Sequence, residues 1–318
     1  MKRSLIAAAL LIAATLAGAQ AWPTKPIKVV VNFPPGGAAD QIARAVSQPL
    51  QEALGQPVVV ENRGGSGGNL GGDVVAKSPA DGYTLLMSSG GMVSVNPHIY
   101  ANMPFDPAKD LVPVAAAARV LVFLVVRSES PLQDFAAFRA DLKAHPGRRS
   151  FGSPGNGSSP HLASEMMKSM TGTFAVHVPY RGAAPALTDL LGGQLDFAFD
   201  PGIAVPHIRS AKLRLLAVGS PGRSPLFPAT PTLDELGLKG FDADTVFGFY
   251  APAGTPAAVV TRLNGEINRI LATPAMKDRI QALGGVPASM SPADFAAKAA
   301  QDSQRFGAII RERKIVGD

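Results

Sequence analysis

Short apolar runs alternate with segments of helical spacing along the first third of the chain. The predicted elements are a strand over 27–33, a helix over 39–55, a strand over 57–62 and a strand over 81–89. The strands are β-branched runs bounded by glycine and proline, whereas the helix carries Ile42, Val46 and Leu50 on one face. This alternation predicts an α/β domain built on a parallel sheet.

The same alternation starts again after residue 131. Helices are predicted over 132–147, 161–172 and 186–194, and strands over 148–153, 174–180, 195–200 and 213–220. An apolar run over 112–128 predicts one or two core strands and a crossing near Phe123, and a strand over 247–256 leads back. Three helices follow over 257–272, 274–284 and 291–314. We therefore expect two α/β lobes with a cleft between them: residues 22–123 with 246–318, and residues 124–245.

The first 21 residues have the pattern of a secretory signal peptide. Lys2 and Arg3 precede an apolar stretch, and Ala19-Gln20-Ala21 fits cleavage after Ala21. An uncleaved anchor is the alternative, although the apolar stretch is shorter than the ~20 residues that span a bilayer. We expect an exported protein that resides in the periplasm.

Composition narrows the function classes. The chain has 318 residues and a formal charge of +6 at pH 7, with the basic residues scattered rather than gathered in a stripe, which argues against nucleic acid as a partner. A mild positive field favours small anions. The absence of cysteine excludes disulfides and thiolate metal sites, and the five histidines lack metal-ligand spacing. We predict no metal and no cofactor.

The turn from the first strand into the first helix indicates an anion site. Gly36 and Gly37 stand where a Ser, Thr, Asp or Asn side chain usually caps the first amides of a helix. Those N–H groups are left for water or for a carboxylate or phosphate, and Asp40 falls in the first turn. A tight turn with solvated amides is the alternative interpretation.

Three further loops repeat this arrangement. They contain Gly155, Gly157, Ser158 and Ser159; Gly182, Ala183 and Ala184; and Ser88, Ser89, Gly90 and Gly91. Because ligands of open α/β sheets bind outside the carboxyl ends of the strands, such loops from two lobes would hold an anion from both sides. Phe33 is either a core residue or part of the cleft wall.

The sequence also allows interpretations other than ligand binding. Residues 64–68 match the G-x-S-x-G pattern of a serine hydrolase, with Ser66 as the nucleophile. However, a run of glycine is too flexible to hold the strained turn that such a nucleophile needs. His161 either donates to a ligand or packs locally. Asp200, at the end of a strand, either accepts a hydrogen bond from a ligand or caps the next turn.

Longer stretches resemble the periplasmic solute-binding receptors of tripartite tricarboxylate transporters, the Bug or TctC-like family. The matching segments are residues 22–44, 58–86, 152–165, 178–200, 213–238 and 248–264. The resemblance covers essentially the whole mature chain. It departs where Val246-Phe247 replaces a common tryptophan, and where His-Ala is missing after Gly90-Gly91.

The resemblance implies a two-lobed Venus flytrap that is not an enzyme and captures a small carboxylate: a dicarboxylate, an aromatic acid or an amino acid. It implies delivery by a monomer to the large and small permease subunits; a sensor receptor of the same fold is the alternative. The predicted ligand-binding residues are Phe33, Pro35, Gly36, Gly37, Ala38, Asp40, Ser88, Ser89, Gly90, Ser153, Asn156, Gly157, Ser158, Ser159, His161, Tyr180, Arg181, Gly182, Ala183 and Asp200.

Overall fold

The computed structural model describes residues 22–317. The predicted signal peptide, residues 1–21, lies outside the described residues. Across the part of the chain that the model describes, no helix combines the length and the apolar character needed to cross a membrane.

Strands and helices alternate through most of the chain. The strands are β1 (Ile27–Val31), β2 (Val58–Asn62), β3 (Thr84–Ser88), β4 (Leu111–Val120), β5 (Phe123–Arg127), β6 (Ser150–Ser153), β7 (Val176–Pro179), β8 (Phe197–Asp200), β9 (Leu213–Val218), β10 (Thr245–Pro252) and β11 (Gly285–Pro287). The helices are α1 (Ala38–Leu54), α2 (Asn69–Ala76), α3 (Gly91–Ser94), α4 (Asn96–Ile99), α5 (Pro107–Asp110), α6 (Phe135–Ala144), α7 (Ser159–Thr171), α8 (Ala183–Leu191), α9 (Val205–Arg209), α10 (Ala257–Ala272), α11 (Pro274–Ala282) and α12 (Pro292–Arg313).

The strands form two separate sheets, each the centre of one lobe. The six-stranded sheet of lobe I has the order β11-β4-β10-β3-β1-β2, and the five-stranded sheet of lobe II has the order β7-β6-β8-β5-β9. Both sheets are mixed, so the expectation of a parallel sheet holds only for β1–β3 and for β6–β8. The antiparallel pairs are β4 with β10 and β11, β10 with β3, and β5 with β8 and β9.

The chain crosses between the sheets twice. The apolar run over 112–128 divides into β4 and β5, so the first crossing is at Leu121 and Val122. Phe123, which the sequence assigned to lobe I, instead pairs with Asp200 and Val218 in the second sheet. The chain returns before β10, which begins at Thr245.

Apolar periodicity explains how the lobes are built. Helix α1 buries Ile42, Val46 and Leu50 against the first sheet. In lobe II, α6 buries Phe138 among the phenylalanines of β6 and β8. A smaller cluster joins the lobes, because Val95 and Ile99 of lobe I and Leu162 of lobe II pack together with three residues of α12: Phe306, Ile309 and Ile310.

Candidate functional site

Loops from both lobes border one cleft between the sheets. They follow β1 and β3 in lobe I and β6, β7 and β8 in lobe II, and Phe247 of β10 adds to the wall. The empty space is about 630 Å³, part of it open to solvent. Sites for small organic ligands are concave clefts lined mostly by apolar side chains.

The wall of this cleft is largely apolar. Its prolines are Pro34, Pro35, Pro154, Pro160, Pro185 and Pro201. Its other apolar side chains belong to Phe33, Phe247, Ala38, Ala39, Ala183 and Ala184, and its hydroxyls to Ser89, Ser158 and Ser159. Gly37 and Gly182 complete it, so that within residues 22–317 no charged side chain lines the cleft.

Helix α1 begins at the cleft without a side-chain cap. Gly36 has a φ of 83°, a left-handed conformation that favours glycine, and it turns the chain from β1 into the helix. Gly37 is the N-cap and no side chain caps the helix there. Among the described residues, no protein acceptor takes the N–H of Gly37, Ala38 or Ala39. Since the first N–H groups of a helix point out of its end, these donors are available to a ligand.

Asp40 stabilises this turn through the hydrogen bonds of its carboxylate. Its carboxylate accepts from the N–H of Gly36 at 3.0 Å, from Arg44 Nε at 3.0 Å and from Asn62 Nδ2 at 3.0 Å. Burial alone would raise its pKa, but these hydrogen bonds hold the pKa below its usual value. Asp40 and Gly36 therefore stabilise the loop, and neither borders the cleft.

Two helices of lobe II begin at the same cleft. Gly182 precedes α8 with a φ of 125°, and Ser158 precedes α7 while its Oγ donates back to the carbonyl of Gly155 at 2.7 Å. Neither helix start has a side-chain cap. No acceptor within 22–317 takes the N–H of Gly182, Ala183 or Ala184, so lobe II also presents free donors.

Loops of the two lobes touch at the wall of the cleft. A Cβ placed on Gly182 would lie 3.5 Å from Cγ of Pro34, so the β7–α8 loop of lobe II packs against the β1–α1 loop of lobe I. Donors from the two lobes are therefore brought to one place.

Several predicted site residues lie behind this wall. Ser88 accepts from Asn32 in the core, and Gly90 packs close to the carbonyl oxygen of Val246. Tyr180 donates its hydroxyl to Asp189 at 2.7 Å. Arg181 is exposed, and neither it nor Asn156 borders the cleft.

His161 belongs to a buried ring stack in lobe II. Its ring lies 3.9 Å from that of His177 at an angle of 9°, and its Nδ1 accepts from the N–H of Gly157 at 3.1 Å. Ser153 hydrogen-bonds His177 at 2.6 Å. Burial, together with the nearby His177 and Lys168, lowers the pKa of His161 to about 3. The neutral His161 therefore packs locally, and Ser153 and Gly157 are positioned by the same stack.

Asp200 lies on a smaller cavity that shares Pro154, Ala183 and Pro201 with the cleft. Its Oδ1 accepts from the N–H groups of Gly202 and Ala204, both at 2.8 Å, so it caps the turn after β8. Burial raises its pKa to about 6, although these backbone hydrogen bonds oppose the rise.

Sequence reasoning missed most of the prolines and Phe247 as wall residues. Pro34, Pro154, Pro160, Pro185 and Pro201 all lie in or beside the loops that end strands, which is the signal that identifies them. Phe247 differs, because it lies within β10 and only the pairing of that strand brings it to the cleft.

The serine-hydrolase alternative finds no geometry to support it in residues 22–317. Ser66 begins a short 3₁₀ turn that packs beside Asn32, whose Nδ2 donates to the carbonyl of Gly68 at 3.3 Å. Across residues 22–317 the Ser66 hydroxyl makes no hydrogen bond to a histidine or a carboxylate, and no group of three His, Asp or Glu side chains could hold a metal ion.

Comparison with known proteins decides the family. The model of the tripartite tricarboxylate transporter family receptor matches residues 42–315. The chain belongs to this family. It is 40% identical to the protein BugT of Bordetella pertussis over 297 residues, which are 92% of this chain and 91% of BugT.

Solved structures agree with the resemblance that the sequence predicted and with the two-lobed fold. A protein of R. palustris solved with adipate has a TM-score of 0.89 and 33% identity, over 93% of this chain and 99% of that one. MatC from Rhodopseudomonas palustris, solved with bound malate, has a TM-score of 0.84 and 30% identity over 91% and 100%. Receptors of this family are periplasmic solute-binding proteins that bind small carboxylates for a membrane transporter.

Proposed function

We propose that this chain is an extracytoplasmic receptor that captures a small carboxylate for a tripartite tricarboxylate transporter. The observation that carries the proposal is the set of uncapped helix starts, α1 from lobe I and α7 and α8 from lobe II, at one cleft. The adipate and malate found in related structures support it.

The ligand is held by backbone donors rather than by arginine or lysine. A carboxylate accepts charge-assisted hydrogen bonds from the N–H groups of Gly37 and Ala38 in lobe I and of Gly182 and Ala183 in lobe II. Such bonds are stronger in a cleft that excludes water. The contact set also includes the three serine hydroxyls and the rings and prolines of the wall: Ser89, Ser158, Ser159, Phe33 and Pro35.

The receptor works without catalysis, as a monomer exported by the segment that ends at Ala21. The two lobes, with the first crossing between them at Leu121 and Val122 and the return before Thr245, are the two moving bodies, and a ligand that touches both favours the closed arrangement. The closed receptor then delivers the carboxylate to the large and small permease subunits.

Isothermal titration calorimetry and thermal unfolding of the purified protein test this function. The panel pairs each acid with its neutral amide: benzoate with benzamide, succinate with succinamide, adipate with adipamide, and malate with malamide. A binding acid at 100 times its Kd stabilises the fold by about 2.7 kcal/mol, and its amide should not. The proposal fails if no acid binds, or if the amides bind as tightly as their acids.

A further inference from the structure

The composition of the cleft wall restricts the part of the ligand beyond its carboxylate. Apart from three serine hydroxyls, the side chains of the wall are those of proline, alanine and phenylalanine. Phe33 and Phe247 offer flat apolar surfaces, and burying carbon against such surfaces is favourable by roughly 25 cal/mol per Å². A bare hydrocarbon body therefore gains contacts everywhere along this wall.

Within residues 22–317, no acidic side chain lines the cleft to pair with an ammonium group. Of the two carboxylates that the sequence placed at the ligand, Asp40 is satisfied by Gly36, Arg44 and Asn62. Asp200 is committed to the N–H groups of Gly202 and Ala204 and lies on the neighbouring cavity. Burying a cation without a hydrogen-bonded counter-ion is costly.

The amino ends of three helices also disfavour an ammonium group in the cleft. Helices α1, α7 and α8, of 17, 13 and 9 residues, direct their amino ends at the cleft. Each end carries a partial positive charge, which attracts a carboxylate and repels an ammonium group.

The smaller cavity continues this apolar character. Ala186, Leu187, Ala198 and Phe199 line it together with Asp200. In the part of the chain that the model describes, no lysine or arginine borders either cavity. The second cavity is therefore also mainly apolar, and its acidic residue, Asp200, already accepts two backbone hydrogen bonds.

We propose that the cleft selects organic acids with a bare aromatic or aliphatic skeleton and rejects acids that carry an ammonium group, such as amino acids. This rests on the proposed function, because it assumes that a carboxylate binds here. A hydroxyl group on the skeleton is tolerated better than an ammonium group, because serine hydroxyls and water can pair with it.

Matched ligands that differ in one group test the selectivity by titration calorimetry. Succinate, malate and aspartate share a skeleton and carry hydrogen, hydroxyl and ammonium at one carbon. Hexanoate with 6-aminohexanoate, and 4-methylbenzoate with 4-(aminomethyl)benzoate, repeat the comparison. Each ammonium compound should bind at least about tenfold more weakly than its parent acid, with malate between succinate and aspartate.

Ser89 allows the cause to be tested. Its side chain borders the cleft from lobe I and is half-buried, so Ser89→Asp adds a carboxylate to the wall and Ser89→Asn adds similar volume without charge. Relative to Ser89→Asn, which also loses the serine hydroxyl, Ser89→Asp should reduce the preference for succinate over aspartate by at least about tenfold. Melting temperatures of the ligand-free variants verify that both fold.

The outcomes separate this inference from the proposed function. If aspartate or another ammonium acid binds as tightly as its parent, the protein is a carboxylate receptor and the selectivity proposal is overturned. An unchanged preference in Ser89→Asp overturns it as well, since the missing acidic partner is then not the cause. If no carboxylate of either panel binds, the proposed function fails and this inference fails with it.

Discussion

At the residue scale, Asp200 shows how burial changes the chemistry of one side chain. Its pKa of about 6 lies above the ordinary value of 3.8, so the folded protein holds this proton more tightly than the unfolded chain. Between these values the unfolded chain loses the proton first, so stability falls as pH rises from about 4 to about 6. The stabilisation of the fold by the protonated Asp200 carboxyl is complete only below about pH 4.

We predict that Asp200→Asn removes this part of the pH dependence. Asparagine keeps an oxygen that accepts from Gly202 and Ala204 and carries no charge to bury. The variant should be more stable than the parent at pH 8, by up to about 3 kcal/mol, with the gain disappearing near pH 4. Urea unfolding at several pH values measures this.

Asp278→Asn, the same change at an exposed position on α11, is the control for replacing a carboxyl by an amide. A variant at position 200 that loses stability equally at every pH would contradict the assignment of the pH dependence to this carboxyl.

The residues near the cleft were easier to predict from the sequence than the hydrogen bonds that they make. Asp40, His161 and Asp200 all lie close to the cleft, as their positions after strands indicated. The structure adds that each is already occupied: Asp40 by Arg44 and His161 by the N–H of Gly157. These partners lie only four residues away in the sequence, but that spacing does not tell whether a side chain bonds to its neighbour or to a ligand.

At the element scale, the long helices and strands were predictable and the short ones were not. The helix predicted over 257–272 is α10 with the same bounds, because its apolar stripe runs over four turns. Helices α3, α4, α5 and α9 have only four or five residues and were missed. The pairing of β10 between β3 and β4 joins distant segments, which local patterns do not encode.

Proline at the first position of a helix tests the donor role of α1 and α8. Proline is well tolerated there and removes only the N–H. Ala38→Pro and Ala183→Pro should each weaken carboxylate binding by about 1.5–3 kcal/mol while changing the free energy of unfolding little. Calorimetric titration and urea unfolding measure the two quantities on the same samples.

Ala38→Gly and Ala183→Gly are the matched controls, because they lose the methyl group and keep the N–H. They should bind the acid within about threefold of the parent, allowing for the lost contact. Full affinity in both proline variants would show that the ligand does not use these donors.

At the scale of the whole molecule, α12 ties the lobes together. Arg305 donates to the carbonyl oxygens of Asp242 and Asp244 on the returning crossing, at 2.8 and 3.0 Å. Further along, Arg313 donates to Glu165 of lobe II at 3.2 Å. The helix therefore contacts both lobes and the segment between them, and its packing bears on whether they unfold as one unit.

Substitution of two phenylalanines on α12 can distinguish a loss of coupling between the lobes from a general loss of stability. Phe306 is fully buried in the cluster that joins the lobes, whereas Phe295 is equally buried but packs only against lobe I, beside Tyr250. Either change to alanine should cost about 3–5 kcal/mol. Only Phe306→Ala removes contacts between lobes, so its calorimetric transition should broaden or divide, with a van't Hoff enthalpy below the calorimetric one. Phe295→Ala should keep the shape of the parent's transition at a lower temperature, and an identical shape for both variants would show that the lobes are coupled elsewhere.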